Sequence, residues 1–283
     1  MERQRIVSVR ILPPMKIPYA IQARSFLWAA LMLFAFRSTA AGTDEQLLVS
    51  AQPGIQALQT GETLTYDVSW SKMLTAGTAV LETREELLPN GKPVLKFLVT
   101  GRSAGIVDMV YPVYDTVQSI FDPQIMKSLS YKMDQNYNHK TRRLNMVFDH
   151  SRKIALSTLN DDAPKTLEIP EQVLDGLSFL YYLRTLDEFT IGKVIAINVL
   201  DVDKIWSVEV STLGREIVKT PAGEFSTIKI KTHPLYKGVF RNKGDVYIWF
   251  TDDSRKVPVL MKSTLTVGSF VFSLRDMQSR NQK

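Results

Sequence analysis

Three histidines, His139, His150 and His233, are the chain's only imidazoles, and no cysteine accompanies them. Their spacing fits neither HExxH nor any other metal-ligand pattern, so a zinc site would have to recruit carboxylates. The absence of Cys excludes thiolate catalysis, disulfides, Cys-ligated zinc, iron–sulfur clusters and lipid attachment at a lipobox. Ser69-Trp70-Ser71-Lys72 satisfies S-x-x-K, in which a Lys one helical turn away serves a Ser nucleophile. Here the tetrapeptide ends a strand, and no S-D-N or K-T-G follows. Asp201-Val202-Asp203 has the form of a cation-holding D-x-D, but no nucleotide-binding α/β unit surrounds it, and it reads as a hairpin turn. No G-x-S-x-G, phosphate loop or G-x-G-x-x-G occurs. The residues therefore nominate no catalytic group, no metal ligand and no cofactor.

Two features remain. Asp115 shares a strand face with Val113, Val117, Ser119 and Phe121, which aims it inward among apolar groups. A carboxylate there needs a partner, such as an Arg. Aromatic side chains are the second feature: Tyr66, Trp70, Tyr114, Tyr181 and Tyr182, with Phe121, Trp206, Trp249 and Phe250, fall on strands or on a helix. They either fill a core or line a concave ligand face, since cavities are mostly apolar with few polar anchors. The candidate ligand-binding set is Tyr66, Trp70, Tyr114, Asp115, Tyr181 and Tyr182.

These residues need strands to position them. Leu64, Tyr66, Val68 and Trp70 alternate with Thr63, Thr65, Asp67 and Ser69, which is the period of a half-buried strand. Further strands are expected over 73–85 (broken at Gly77), 94–100, 113–121, 128–137, 143–149 and 153–159. After them come 194–200, 205–213, 216–220, 225–232, 245–251, 258–267 and 269–274. A short helix is read over 105–111, ended by Pro112. One principal helix is expected to start near Pro170, where a first turn tolerates proline. Val173, Leu177, Leu180, Tyr181 and Arg184 then form one stripe, with Ser178 off it, where truncation to Ala would cost little. The pattern implies a mainly β fold: a large curved antiparallel sheet, barrel or half-barrel, with one principal helix packed against it.

The 283 residues carry 35 Lys+Arg and 29 Asp+Glu. Six of the basic side chains and one of the acidic lie within residues 1–41, so the remainder is nearly balanced and offers no basic surface for nucleic acid. Phe26 to Phe36 is an uncharged apolar run, preceded by basic residues and followed by Ser38-Thr39-Ala40-Ala41-Gly42. That is the layout of a secretory signal, and the run is short of the ~20 residues a membrane span needs. Residues 1–41 are read as a signal peptide (Met15 offers an alternative start), 42–60 as a linker, 61–275 as a single β-rich domain and 276–283 as a polar tail. No transmembrane span is expected after cleavage.

Several stretches together resemble a known family. They are Asp115-x3-Ser119-x2-Asp122-Pro123, Leu177 to Arg184, Leu213-Gly214-Arg215-Glu216 through Lys219 to Phe225, and Ile248 to Asp253 with Pro258 after it. In this order they resemble the exported bacterial family known as domain of unknown function 3108. The resemblance implies a β-rich periplasmic or envelope protein with a barrel-like antiparallel sheet, and carries no catalytic residues with it. The expected role is non-enzymatic: binding or chaperoning an apolar or glycan-like envelope component. The alternatives are an adaptor for another envelope protein and a glycan-acting hydrolase. N-terminal sequencing of the protein from its native host should begin at Ala41 or Gly42; a full-length cytosolic product would overturn the export reading.

Overall fold

A computed structural model describes residues 54, 57–71, 74–187, 189–236, 239–240, 245–264 and 268–279. The expected signal peptide and the linker up to residue 53 lie outside the described residues. The last linker residues do not behave as a linker: Ala57 and Leu58 are buried. Likewise the last strand continues through Asp276 to Ser279, where a polar tail was expected.

Alternating side chains build one antiparallel sheet. Its first seven strands are β1 (Glu62–Trp70), β2 (Leu74–Leu87), β3 (Pro93–Ser103), β4 (Val113–Asp122), β5 (Lys127–Tyr137), β6 (Lys140–Asp149) and β7 (Ile154–Leu159). The rest are β8 (Lys165–Glu168), β9 (Val194–Asp201), β10 (Lys204–Thr220), β11 (Gly223–Tyr236), β12 (Val239–Phe240), β13 (Val246–Thr251), β14 (Pro258–Thr264) and β15 (Ser269–Ser279). The path runs β8-β7-β6-β5-β4-β3-β2-β1-β15-β14-β13-β11-β10-β9, with β12 beside β11. Among the described residues, two short helices interrupt it, α1 (Gly105–Val110) and α2 (Gly176–Thr185). The expected mainly β class, with a curved antiparallel sheet around one principal helix, is the class observed.

Two expected breaks are bulges instead. β2 runs unbroken through Gly77, and its register against β1 shifts between Val68 and Ser69. A Cβ on Gly77 would sit 2.0 Å from the carbonyl oxygen of Arg102, so the glycine marks close backbone approach rather than a strand end. β10 is likewise one strand. Its register against β11 passes from Thr212↔Ile230 to Gly214↔Lys229, which leaves Leu213 as the extra residue.

The principal helix begins later than its apolar stripe suggests. Pro170 and Val173 precede it, and Leu174 is extended: its N–H donates to the Asn198 carbonyl at 2.9 Å, and its carbonyl accepts from the Leu200 N–H at 2.8 Å. Asp175 is the true cap. Its carboxylate accepts from the N–H groups of Leu177 and Ser178, both at 2.9 Å, satisfying donors that a helix start leaves open. It also accepts from the hydroxyls of Ser119 (2.7 Å) and Ser178 (2.8 Å), and its own N–H donates to Ser128 Oγ at 2.9 Å. Burial pushes the Asp175 carboxyl above its ordinary value, against hydrogen bonds that favour the charged form. Ser178 is thus a fully buried member of this network and not a neutral position.

The other end of α2 is held by charge. Arg184 donates to both Glu62 oxygens, at 2.6 and 2.9 Å, and to the Arg255 carbonyl at 3.2 and 3.1 Å. Both partners are buried, at 1% and 3% side-chain exposure. Burial alone would lower the Arg184 guanidinium; the charge and hydrogen bonds of Glu62 outweigh it and leave it raised. Between the anchors, Leu177, Leu180 and Leu183 are buried, and Tyr181 stacks on Phe97 of β3 at 3.8 Å between centroids. Contacts from β1, β3, β4, β5 and β9 to one short helix and its lead-in mean that the sheet is rolled around it. The two ends of the sheet also meet: Lys165 on β8 pairs with Asp203, in the β9–β10 turn, at 3.0 Å.

Leu177→Ala should cost about 2–5 kcal/mol through the cavity it leaves. Ser178→Ala should cost about 1–3 kcal/mol, because a buried carboxylate loses a donor. Paired denaturant curves read both, and a wild-type midpoint for Ser178→Ala would show that the Asp175 network does not hold the helix.

Candidate functional site

The rolled sheet decides where a ligand could sit, because its interior is packed. Tyr66 is fully buried and its hydroxyl donates to the Pro258 carbonyl at 2.7 Å. Tyr181 is buried against Phe97, and burial pushes its hydroxyl up to about 12. The hollow among Val68, Ala76, Gly77, Val113 and Phe272 measures about 10 Å³, the threshold for a single water. Trp70 is half-buried, edge-on to Phe270 at 4.8 Å, over Gly268, where a Cβ would come within 2.5 Å of its ring. Tyr182 is half-buried on the helix. The six residues nominated from the sequence therefore do not share one face: Tyr66 and Tyr181 belong to the core, and Tyr114 is exposed.

Tyr114 and Asp115 occupy adjacent rows at the same end of the sheet. Pairing registers align Gly101, Asp115, Gln135 and Arg142 across β3, β4, β5 and β6. This is the inward row. Asp115 and Gln135 are buried, and Arg142 donates to Gln135 Oε1 at 3.4 Å. The inward, buried placement of Asp115 agrees with the sequence reading. The neighbouring row is Arg102, Tyr114, Asn136 and Thr141, and it faces out.

The outer row floors an open cleft of about 490 Å³. The β3–α1–β4 connection forms one wall, contributing Ser103, Asp108 and Pro112, and the β5–β6 hairpin forms the other, with Asn138, His139 and Lys140. Each wall is fixed. Ser103 Oγ accepts the Val113 N–H at 2.8 Å and donates to Asp108 at 2.5 Å. The Asn138 N–H donates to the Pro112 carbonyl at 3.0 Å, tying the walls together. Tyr111 and Tyr137 stack at 6.5 Å, and burial raises the Tyr111 hydroxyl, with Tyr137 and Asp115 adding to the effect. Asn138 and His139 both take positive φ, +43° and +61°, as a two-residue hairpin turn requires. The Arg102 guanidinium lies 4.6 Å from the Tyr114 ring centroid.

Sequence reasoning found Tyr114 and missed the rest of this cleft. Arg102 and Asn136 are outward strand positions, which alternation reads as solvated. Only the Asn138-His139 pair between two strands carried a local signal, that of a hairpin turn.

The sequence matches the family described as "Protein of unknown function (DUF3108)" over residues 65–275, and the chain belongs to that family. No curated protein matches it. Among solved structures, it resembles a β-barrel-like protein of the domain of unknown function DUF1849 from Brucella abortus. That likeness has TM-score 0.53 at 11% identity, covering 78% of this chain and 98% of that one. A protein with a YmcC-like fold from Bacteroides fragilis is 12% identical, with TM-score 0.32, over 78% of this chain and 97% of that one. The Brucella likeness concerns the fold.

The aromatic candidates separate by substitution. Tyr181→Ala should cost about 3–5 kcal/mol, whereas Tyr114→Ala should stay within about 0.5 kcal/mol of wild type. Thermal or denaturant unfolding checks the pair; equal costs would place Tyr114 in the packed structure rather than on a free surface.

Proposed function

We propose that this family member is an exported, non-catalytic envelope protein that binds a polar, glycan-like component in the cleft at the rim of its sheet. The observation that carries the reading is the outward row Arg102–Tyr114–Asn136–Thr141 flooring an open cleft beside a packed interior. A half-exposed tyrosine offers the flat apolar surface that the C–H face of a sugar ring covers. Asn136, Asn138 and Thr141 supply both donors and acceptors for hydroxyl groups. Their positions are set by strand pairing and a tight hairpin, so little ordering entropy opposes binding. An apolar ligand inside the barrel fits less well, since Tyr66 and Tyr181 fill that space with the helix.

The cleft also favours binding over glycan hydrolysis. Hydrolysis of a glycosidic bond uses two carboxyl groups about 5–9.5 Å apart across the substrate. The cleft lining holds one carboxylate, Asp108, which accepts from Ser103. Export is supported by the uncharged run from Phe26 to Phe36 with its small-residue site.

The test is a titration of the purified protein with soluble oligosaccharides released from the host's own envelope, read by native mass spectrometry. Saturable binding should appear, and Tyr114→Ala should weaken it about tenfold or more, equivalent to about 1.4 kcal/mol, while leaving the melting temperature unchanged. Absence of saturable binding, or equal affinity in the variant, would overturn the reading.

A further inference from the structure

The fixed charges of the cleft do not cancel. Two cations line it, Arg102 and Lys140, against one carboxylate, Asp108. Most basic side chains among the described residues pair with an acid, as Arg215 does with Asp252 at 2.8 Å and Lys231 with Asp245 at 3.0 Å. In the basic run Lys140-Thr141-Arg142-Arg143, alternation sends Arg142 to the inward row and leaves Arg143 to pair with Asp134 at 3.7 Å. Among the described residues, neither Arg102 nor Lys140 has an ion-pair partner. Asp108 does not serve as one: its printed contact is the Ser103 hydroxyl, at 2.5 Å.

The cations also differ in place from the carboxylate. Arg102 is on β3 and Lys140 begins β6, three strand spacings away, or roughly 14 Å at the backbone. Asp108 belongs to α1, the wall next to Arg102, and the hairpin wall that holds Lys140 contributes no carboxylate. Arg102 is aimed as well. Its guanidinium lies 4.6 Å from the Tyr114 ring centroid, which steadies the planar fork and keeps its N–H donors at the edge of the stack. Tyr114 is 42% exposed with the guanidinium against it. A sugar ring can therefore lie on the tyrosine while an acidic group on that sugar meets the guanidinium beside it. A neutral sugar over this floor would take water from two cations and return no opposite charge, a cost its hydroxyls offset only in part. An anionic sugar supplies the missing charge.

Building on the glycan-binding reading of this cleft, we infer that it selects acidic glycans, saccharides that carry carboxylate or phosphate groups. Arg102 takes one acidic group beside the ring stacked on Tyr114, and Lys140 takes a second further along the chain.

The test separates the oligosaccharides of the host envelope by anion exchange into an acidic and a neutral pool, each titrated into the full chain and read by native mass spectrometry. The acidic pool should bind about tenfold or more tighter than the neutral pool, and added ammonium acetate should erode that preference. Arg102→Gln and Lys140→Gln should each cut the ratio of acidic to neutral affinity about threefold or more, with the melting temperature at the wild-type value. Lys132→Gln, which removes an exposed cation on β5 outside the cleft, should leave the ratio as it was. Reducing the carboxyl groups of the acidic pool to alcohols, or removing its phosphates with a phosphatase, tells which anion is read. One of the two treatments should bring the acidic pool down to the affinity of the neutral one. Equal affinity for the two pools, or a ratio that neither cleft substitution changes, overturns the inference and leaves glycan binding standing. An equal loss in Lys132→Gln overturns it too, because the preference would then belong to the surface at large. Binding of neither pool overturns the glycan reading itself, and the charge selection with it.

Discussion

The architecture depends on two buried charged groups at the ends of one ten-residue helix. Asp175 draws β4, β5 and the start of α2 together through Ser119, Ser128 and Ser178. Arg184 ties the other end to Glu62 at the start of β1 and to the β13–β14 turn through Arg255. A buried ion pair adds little net stability over an apolar replacement, yet breaking it strands a charge at a cost of about 3–5 kcal/mol. Its effect is therefore on arrangement. A helix inside a rolled sheet could slide or rotate if only apolar contacts held it, and the two polar anchors give it one depth and one orientation.

Once α2 is fixed, its aromatic and leucine side chains occupy the space that a barrel of this size would otherwise enclose. Tyr181 covers Phe97, and Tyr66 closes on the Pro258 carbonyl. The sheet becomes a support, and the chemistry on offer moves to its rim, where turns are free to differ. The cleft arises there, between the β3–α1–β4 connection and the β5–β6 hairpin.

Much of this was legible in the sequence, because strand alternation and burial obey the same period. The strands, their antiparallel order and the inward aim of Asp115 followed from it. The helix start did not. Pro170 and Val173 fit a helical stripe, but tertiary pairing of Leu174 with β9 overrides it, and an Asp followed three residues later by Ser was the better capping signal. Gly77 and Leu213 looked like breaks because a bulge and a strand end share the same local composition. The cleft was least legible, since Arg102, Tyr114, Asn136 and Lys140 come from four different strands, and outward polar residues look alike until registers align them.

The central seam of the sheet joins distant parts of the chain: β1 pairs with β2 on one side and with β15 on the other, from Glu62↔Ser279 to Trp70↔Phe270. Hairpins β1 through β8 can form as the chain emerges, but that edge of β1 stays uncovered until residues 269–279 have appeared. Pairing across such sequence separation raises contact order and slows folding. It also leaves an alternating apolar strand with open backbone groups for the whole interval, a template for mispairing. A chain of this topology thus has its greatest need of a holding chaperone early, while its first-made strand awaits its last.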